Sequence, residues 1–232
     1  MTDSQKTLPA AGSRKKPGIL TRLARNKSGL ALTEFAYALP IFTGLGMFGL
    51  ETANLTLTSL RVSQAALNLS DNASRMGQAI ANSTSRTVYE SDVNQMLTGL
   101  GLQAGDIEIL ERGRVILSSL ERNGDGGQWI HWQRCKGKAN YQSDYGTEDT
   151  GATGTSFAGM GEAGNEVTAS DGTAVMFVEI IYEHEPLFGD LFYQNKIIRH
   201  EAVFNIRDNR NLGAGVVADG EPAATCNLYT ST

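Results

Sequence analysis

Residues 35–50 contain no charged side chain, and Glu34 and Glu51 stand at the two ends of that run. With residues 30–33 added, the stretch LALTEFAYALPIFTGLGMFGL spans about 30 Å as a helix at ~1.5 Å per residue, the thickness of a bilayer's hydrocarbon core. The pattern predicts one transmembrane helix over residues 30–50. Pro40 removes a backbone donor from it, a loss membrane helices tolerate when neighbours satisfy the freed carbonyl. Gly44, Gly46 and Gly49 offer small surfaces on which another helix can approach. Beyond Glu51, the residues Leu57, Leu60, Ala65, Leu67, Ala73, Met76 and Ile80 recur at helical spacing among Ser, Thr, Asn and Gln. The helix is therefore expected to run on without a break to about residue 83. A short second helix is expected over residues 90–100, with Ser91 as its cap. Residues 51–104 read as one helical region beyond the membrane.

The texture changes at Gly105. Residues 107–110 and 114–120 read as strands joined by a turn at Arg112-Gly113. Asn123-Gly124-Asp125-Gly126-Gly127 is a strong turn signal. Residues 128–134, 173–182 and 196–207 read as further strands. Residues 141–172 are rich in Gly, Ser, Thr and Ala and form a long loop, of a length that is either functional or flexible. The expected fold class is α+β: a long N-terminal membrane-anchored helix packed against an antiparallel β-sheet, with the β-rich domain over residues 105–232.

Charge divides the chain at the same place. Residues 1–28 carry Lys6, Arg14, Lys15, Lys16, Arg22, Arg25 and Lys27 against Asp3, a charge of +6, so the total of −5 leaves −11 on the remainder. The positive-inside rule then makes residues 1–29 a basic cytoplasmic leader and puts the acidic body across the membrane. No recognition motif accompanies the basic residues, so nucleic acid is not an expected partner. Cys135 and Cys226 admit two readings. One is a disulfide closing a loop of roughly 90 residues, worth about 4 kcal/mol by the chain-entropy argument; the other is a pair of unbonded buried thiols. An exported body favours the first.

The sequence offers little to catalysis. The histidines are His131, His184 and His200. Glu179, Glu183, His184 and Glu185 cluster, but without metal-ligand spacing, and read as solvated charges at a strand edge. The Asn123–Gly126 run lacks the remaining ligands of a calcium loop. There is no Gly-x-Ser-x-Gly elbow, phosphate-binding loop or Cys-x-x-Cys pair. The chain is expected not to be an enzyme and to need no metal or cofactor.

Glu34 needs a reason to sit at the edge of lipid, where a carboxylate costs roughly 2.5–3.5 kcal/mol on insertion scales. Its setting, SGLALTEFAYALP, resembles a prepilin-type leader cut after Gly29. The segment LETANLTLTSLRVSQAALNLSDNASRMG and the later blocks VILSSLERN, WIHWQRC and VEIIYEHEPLFG extend the likeness. The chain resembles the TadE/TadG-like family, the minor pseudopilins of the Tad (Flp-type) pilus system, over a core of about 50 N-terminal residues and more loosely to about residue 210.

The resemblance implies a pilin-like fold and cleavage between Gly29 and Leu30 by an aspartyl prepilin peptidase. Glu34 would become the fifth residue and meet a positive N-terminal amine of its own or a neighbouring subunit, since opposite charges in low dielectric need each other. Phe35 stands where Flp-type pilins carry tyrosine; the ring is kept and the hydroxyl lost. The implied role is structural, as a minor subunit in pilus assembly. The implied partners are other pilin and pseudopilin subunits, the prepilin peptidase, the inner membrane and the Tad secretion machinery. The body would face the periplasm of a bacterial inner membrane, or enter an extracellular pilus. The competing expectation is an uncut signal anchor carrying a periplasmic binding module or hydrolase.

Overall fold

The computed structural model describes residues 18–81 and 83–231. Most of the basic leader, residues 1–17, lies outside the described residues. The chain divides into two units, Met1–Gly49 and Leu50–Thr232.

The first unit holds α1, Ile19–Arg25, and the beginning of α2, Ser28–Arg75. Arg22 and Arg25 occupy the last turn of α1, where the partial negative charge of the helix end favours cations. Asn26 takes an extended conformation and ends α1. Pro40 lies inside α2 without breaking it. The fold is mixed α and β, with this long apolar helix at its N-terminal side and antiparallel sheet in its body.

In the second unit α2 stops at Arg75, earlier than the expected residue 83. Gly77 stands at φ +114°, a left-handed conformation in which a Cβ would also meet the Thr87 carbonyl oxygen at 3.2 Å. Arg210 then closes the helix end: its guanidinium donates to the carbonyls of Ala73 at 2.9 Å and Met76 at 3.0 Å. A cation donating to free carbonyls is what a helix C-terminus lacks. Strand β1, Gln78–Ala79, follows, then β2, Arg86–Tyr89. Helix α3 spans Glu90–Ala104. It is capped by Asp92, whose carboxylate accepts from the Tyr89 N–H at 3.1 Å, rather than by Ser91.

The expected strand at residues 107–110 is instead a 3-10 turn, Gly105–Ile107, leading into the short helix α4, Ile109–Arg112. Glu108 in the left-handed region, φ 49°, separates the two, and Ile107, Ile109 and Leu110 are all buried. An unbroken apolar run is compatible with either a short helix or a strand. The remaining strands are β3, Gly113–Arg122; β4, Gln128–Lys136; β5, Ala174–Glu183; β6, Ile197–Asn205; and β7, Val216–Val217.

Strands β4-β3-β5-β6 form one antiparallel sheet, and β1-β2-β7 a small second one in which β2 and β7 run parallel. In the main sheet Leu117 faces Arg134 on one side and Val178 on the other, and Val178 faces Ala202. Alternate residues therefore line two faces. Val115, Leu117, Met176, Val178 and Ile180 pack against Val62, Ala66 and Leu69 of α2 and Val93 and Leu97 of α3. Small residues at Ala65, Ala66, Ser70 and Ala73 sit in this buried face of α2, and Ser70 Oγ donates to the Met176 carbonyl at 3.0 Å.

The opposite face is covered by the glycine-rich segment. Leu120, Ile130, Val175 and Phe177 pack with Met160 and Ala169, flanked by Tyr145, Phe157 and Val167. Nine of the ten residues of both β3 and β5 are buried as a result. This two-sided cover explains why these strands read as continuous apolar runs instead of alternating ones. The glycines allow close approach: Gly151 has φ +78°, and a Cβ there would lie 2.3 Å from the Gln128 carbonyl oxygen. Ile130 exchanges backbone bonds with Asp149 and Thr150, so the same segment also shields the outer edge of β4.

Candidate assembly interface

Gly29 and Leu30 lie in the first turn of α2, and Glu34 and Phe35 in the next. All four are exposed. Leu30 and Glu34 are four residues apart, the separation at which two side chains share a helix face. Apart from its chain neighbours and its own helix backbone, no described residue lies within 4 Å of a Cβ built at Gly29. Thr33 Oγ1 bonds to the Leu30 carbonyl at 2.8 Å, tightening this first turn.

Gly29–Arg75 is a helix long and apolar enough to cross a membrane, and none of its most apolar window is buried. Phe35, Ile41, Phe42, Leu45 and Leu50 are each at least 60% exposed, and no side of the helix carries a charged residue between Glu34 and Glu51. A helix apolar on all sides belongs in a core or in lipid.

The apolar surface does not end where α2 enters the folded body. Leu57, Leu60 and Leu67 are about half exposed. At 100° per residue they lie on the side of α2 opposite Val62, Ala66 and Leu69, with exposed Ala53 and Gln64 between them. The spacing of Leu50, Leu57, Leu60 and Leu67 follows the seven-residue repeat used when helices pack side by side. One face of α2 thus holds the sheet, and the other presents a leucine stripe.

The two cysteines are brought together in the body, with Cys135 bonded to Cys226 at a Cα separation of 4.7 Å. Beside them Arg114, fully buried, donates to the carbonyls of Gly137 at 2.9 Å and of Leu228 and Cys226 at 2.6 Å each. Its guanidinium also lies 4.4 Å from the ring centre of Tyr229, a cation–π contact. Burial holds the Arg114 pKa below the usual guanidinium range, partly offset by Tyr229. Cys135 N–H donates to the Ala224 carbonyl and Gly137 N–H to that of Thr230, both at 2.7 Å. Disulfide, guanidinium and backbone together lay the C-terminal segment along β4.

Three buried ionic groups lie within the body. Glu51, which marks the end of the apolar run, is fully buried; its Oε1 stands 3.6 Å from His184 Nε2 and its Oε2 accepts from the Phe188 N–H at 3.1 Å. Glu90 binds Arg134 in a fork, at 3.0 Å from Nε and 2.6 Å from Nη2, and Glu148 takes Arg134 Nη1 at 2.9 Å. Burial pulls the Arg134 pKa down, and the bonds to Glu90 and Glu148 more than reverse it.

Glu179 accepts from Ser143 Oγ at 2.6 Å and the Asp144 N–H at 3.1 Å, fastening the glycine-rich segment to β5. Burial pushes its carboxyl up to about 7; those two bonds oppose the rise, and the nearby Glu201 and Asp144 carboxylates add to it. The expected solvated cluster at residues 179–185 is therefore half interior: Glu179 and His184 are buried while Glu183 and Glu185 are exposed. The signal was available for Glu179, which alternates with Phe177 and Ile181 on one face of an apolar strand. Nothing local marks Glu51, because its partner is 133 positions away.

Comparison of the chain with family models, with curated proteins and with solved structures finds no match in any of the three.

Proposed function

We propose that this chain is a membrane-inserted minor pseudopilin of the TadE/TadG-like kind, processed after Gly29 and acting structurally in assembly of a Tad (Flp-type) pilus. The observation that carries the reading is the double-faced α2. It is apolar on all sides over residues 35–50, then binds its own sheet with one face while offering Leu57, Leu60 and Leu67 on the other. A pure anchor needs no apolar residues beyond the bilayer; a helix that packs beside other helices does.

The start of α2 supports the same reading. Cleavage between Gly29 and Leu30 creates an amine one helical turn from Glu34. That amine gives the carboxylate a counter-charge in a low-dielectric setting, where an unpaired charge is costly. The leader stays on the cytoplasmic side with its basic residues, and the acidic, disulfide-bonded body lies in the periplasm, an oxidising compartment.

The test is intact mass or N-terminal sequencing of membrane-extracted protein, made with and without a cognate prepilin peptidase. A chain that begins at Leu30 only when the peptidase is present is the expected result, with Gly29→Leu abolishing the cut. An uncut chain under both conditions overturns the proposal and leaves an anchored periplasmic binding module or hydrolase. Glu34→Ala is expected to allow cleavage and to impair assembly.

A further inference from the structure

The connection between β5 and β6, residues 184–196, rests on the first turn of α2 beyond the apolar run. His184 stands 3.6 Å from Glu51, Phe188 N–H donates to Glu51 at 3.1 Å, and the Tyr193 hydroxyl lies 3.2 Å from Thr52 Oγ1. These contacts fix the base of the connection at residues 51 and 52, directly after Leu50. From that base Leu187 and Leu191 are 60% and 67% exposed, with the half-buried Phe188, Phe192 and Tyr193 among them.

We infer that this connection is a second membrane contact, seating Leu187 and Leu191 in the interfacial zone of the bilayer that α2 enters. The inference rests on the reading of residues 30–50 as a membrane span. If Leu50 ends that span, residues 51 and 52 lie within ~3 Å of its end along the helix, and the connection shares their level. Phenylalanine, tyrosine and leucine are the side chains that such a level accepts, the aromatics lying among the headgroups.

The charges fit a neutral lipid surface better than an anionic one. The connection carries Glu185 and Asp190 against Lys196, so no basic patch is present to draw acidic lipids. Glu185 is itself held by Arg112 at 2.6 Å. The contact is therefore apolar insertion by the two leucines, positioned from behind by the Glu51–His184 pair. An anchor helix alone fixes depth; a second point of insertion also fixes the rotation of the body about that helix.

The described cysteines are both in the disulfide, so one added thiol can be labelled selectively. The full chain is reconstituted in phosphatidylcholine vesicles as Leu187→Cys and Leu191→Cys, each carrying an environment-sensitive fluorophore. Leu45→Cys reports the span, and Leu102→Cys, at a site 80% exposed on α3, reports the aqueous surface. Lipids brominated near the headgroup are expected to quench the labels at 187 and 191, with a blue shift relative to 102 and with iodide ineffective. Quenching at 187 and 191 by iodide, as at 102, while 45 responds only to lipid, overturns the contact and leaves the span standing. Loss of lipid quenching at 45 as well overturns both. Labels at 187 and 191 shielded from iodide yet blind to brominated lipid would mean a protein surface covers them, which also overturns the inference.

Discussion

Arg114 and Cys226 meet at the C-terminal segment, the guanidinium donating to the Cys226 carbonyl at 2.6 Å while the Cys226 side chain is bonded to Cys135. The segment is thus held by one polar and one covalent clamp. Reduction should lower stability by about 4 kcal/mol through the unfolded state and leave the native segment docked. Arg114→Met, with the disulfide intact, strands the carbonyls of Gly137, Cys226 and Leu228 and should cost about 3 kcal/mol. Urea midpoints give the two losses, and carboxypeptidase trimming distinguishes their sites. If reduction alone exposes the final residues to trimming, Arg114 is not a clamp.

Glu179 makes stability depend on pH in a direction opposite to most carboxylates. Its native pKa of about 7 lies above the ordinary value of 4.5. A carboxyl raised in this way contributes stability that is complete below the unfolded value and is lost as pH climbs through the native one. The protein should therefore weaken between pH 4.5 and 7 by an amount on the order of 3 kcal/mol. Glu179→Gln should flatten that part of the curve and stabilise the fold above pH 7. The groups facing Glu179 are Asp144, itself paired with Arg199, and Glu201, which accepts from the Tyr145 hydroxyl. Chemical denaturation across this range decides the matter; an unchanged slope in the glutamine variant would assign the effect to one of those neighbours.

The ion pair that ties α3 to β4 should be strongly asymmetric. Arg134 and Glu90 expose only 9% and 5% of their side chains, whereas Glu148 exposes 47%. Glu90→Ala leaves a buried guanidinium short of its main partner and should cost about 3–5 kcal/mol. Glu148→Ala removes a half-solvated partner and should cost less than about 1 kcal/mol. Equal losses in thermal or urea unfolding would contradict the burial difference.

The sequence made legible whatever rests on local pattern. The apolar run of α2, the Asn123 turn, β4, β5 and β6 all follow from period and turn chemistry, and Asn123 Oδ1 does accept from the N–H groups of Asp125 and Gly127. What was illegible depends on distant partners. The end of α2 at Arg75 has one local mark, Gly77, but the carbonyls freed there are met by Arg210, more than a hundred positions away. Residues 107–110 become helix and 3-10 turn because their apolar side chains enter a core also built by α2 and α3. The glycine-rich segment reads only as a long loop because large residues such as Tyr145, Phe157, Met160 and Val167 are too far apart to signal a buried layer. The candidate interface is legible in the same uneven way: the candidate span from its hydropathy, the outward leucines only once the inward face of α2 is known.

Glu51 and His184 should behave as a coupled pair despite their sequence distance. They approach to 3.6 Å in a fully enclosed setting, and neither His184 nitrogen has a hydrogen-bond partner among the described residues. Glu51→Gln preserves an acceptor for the Phe188 N–H and removes the charge; His184→Leu removes the ring. Each alone should destabilise, and the double variant should lose less than their sum, with a coupling of about 0.5–3 kcal/mol. Additive losses in a double-mutant cycle would mean the two side chains are neighbours without an interaction.

Cys135 and Cys226 lie 91 positions apart and bracket the entire glycine-rich segment, β5, β6 and most of the final coil. A single peptide bond cut in a loop between them leaves two pieces that share a covalent bridge and the strand pairings of the main sheet. A chain closed in this way can be nicked by a protease in a loop without being dismantled. Its lifetime after such a cut would then be set by the redox state of one sulfur pair rather than by the durability of its most accessible loop.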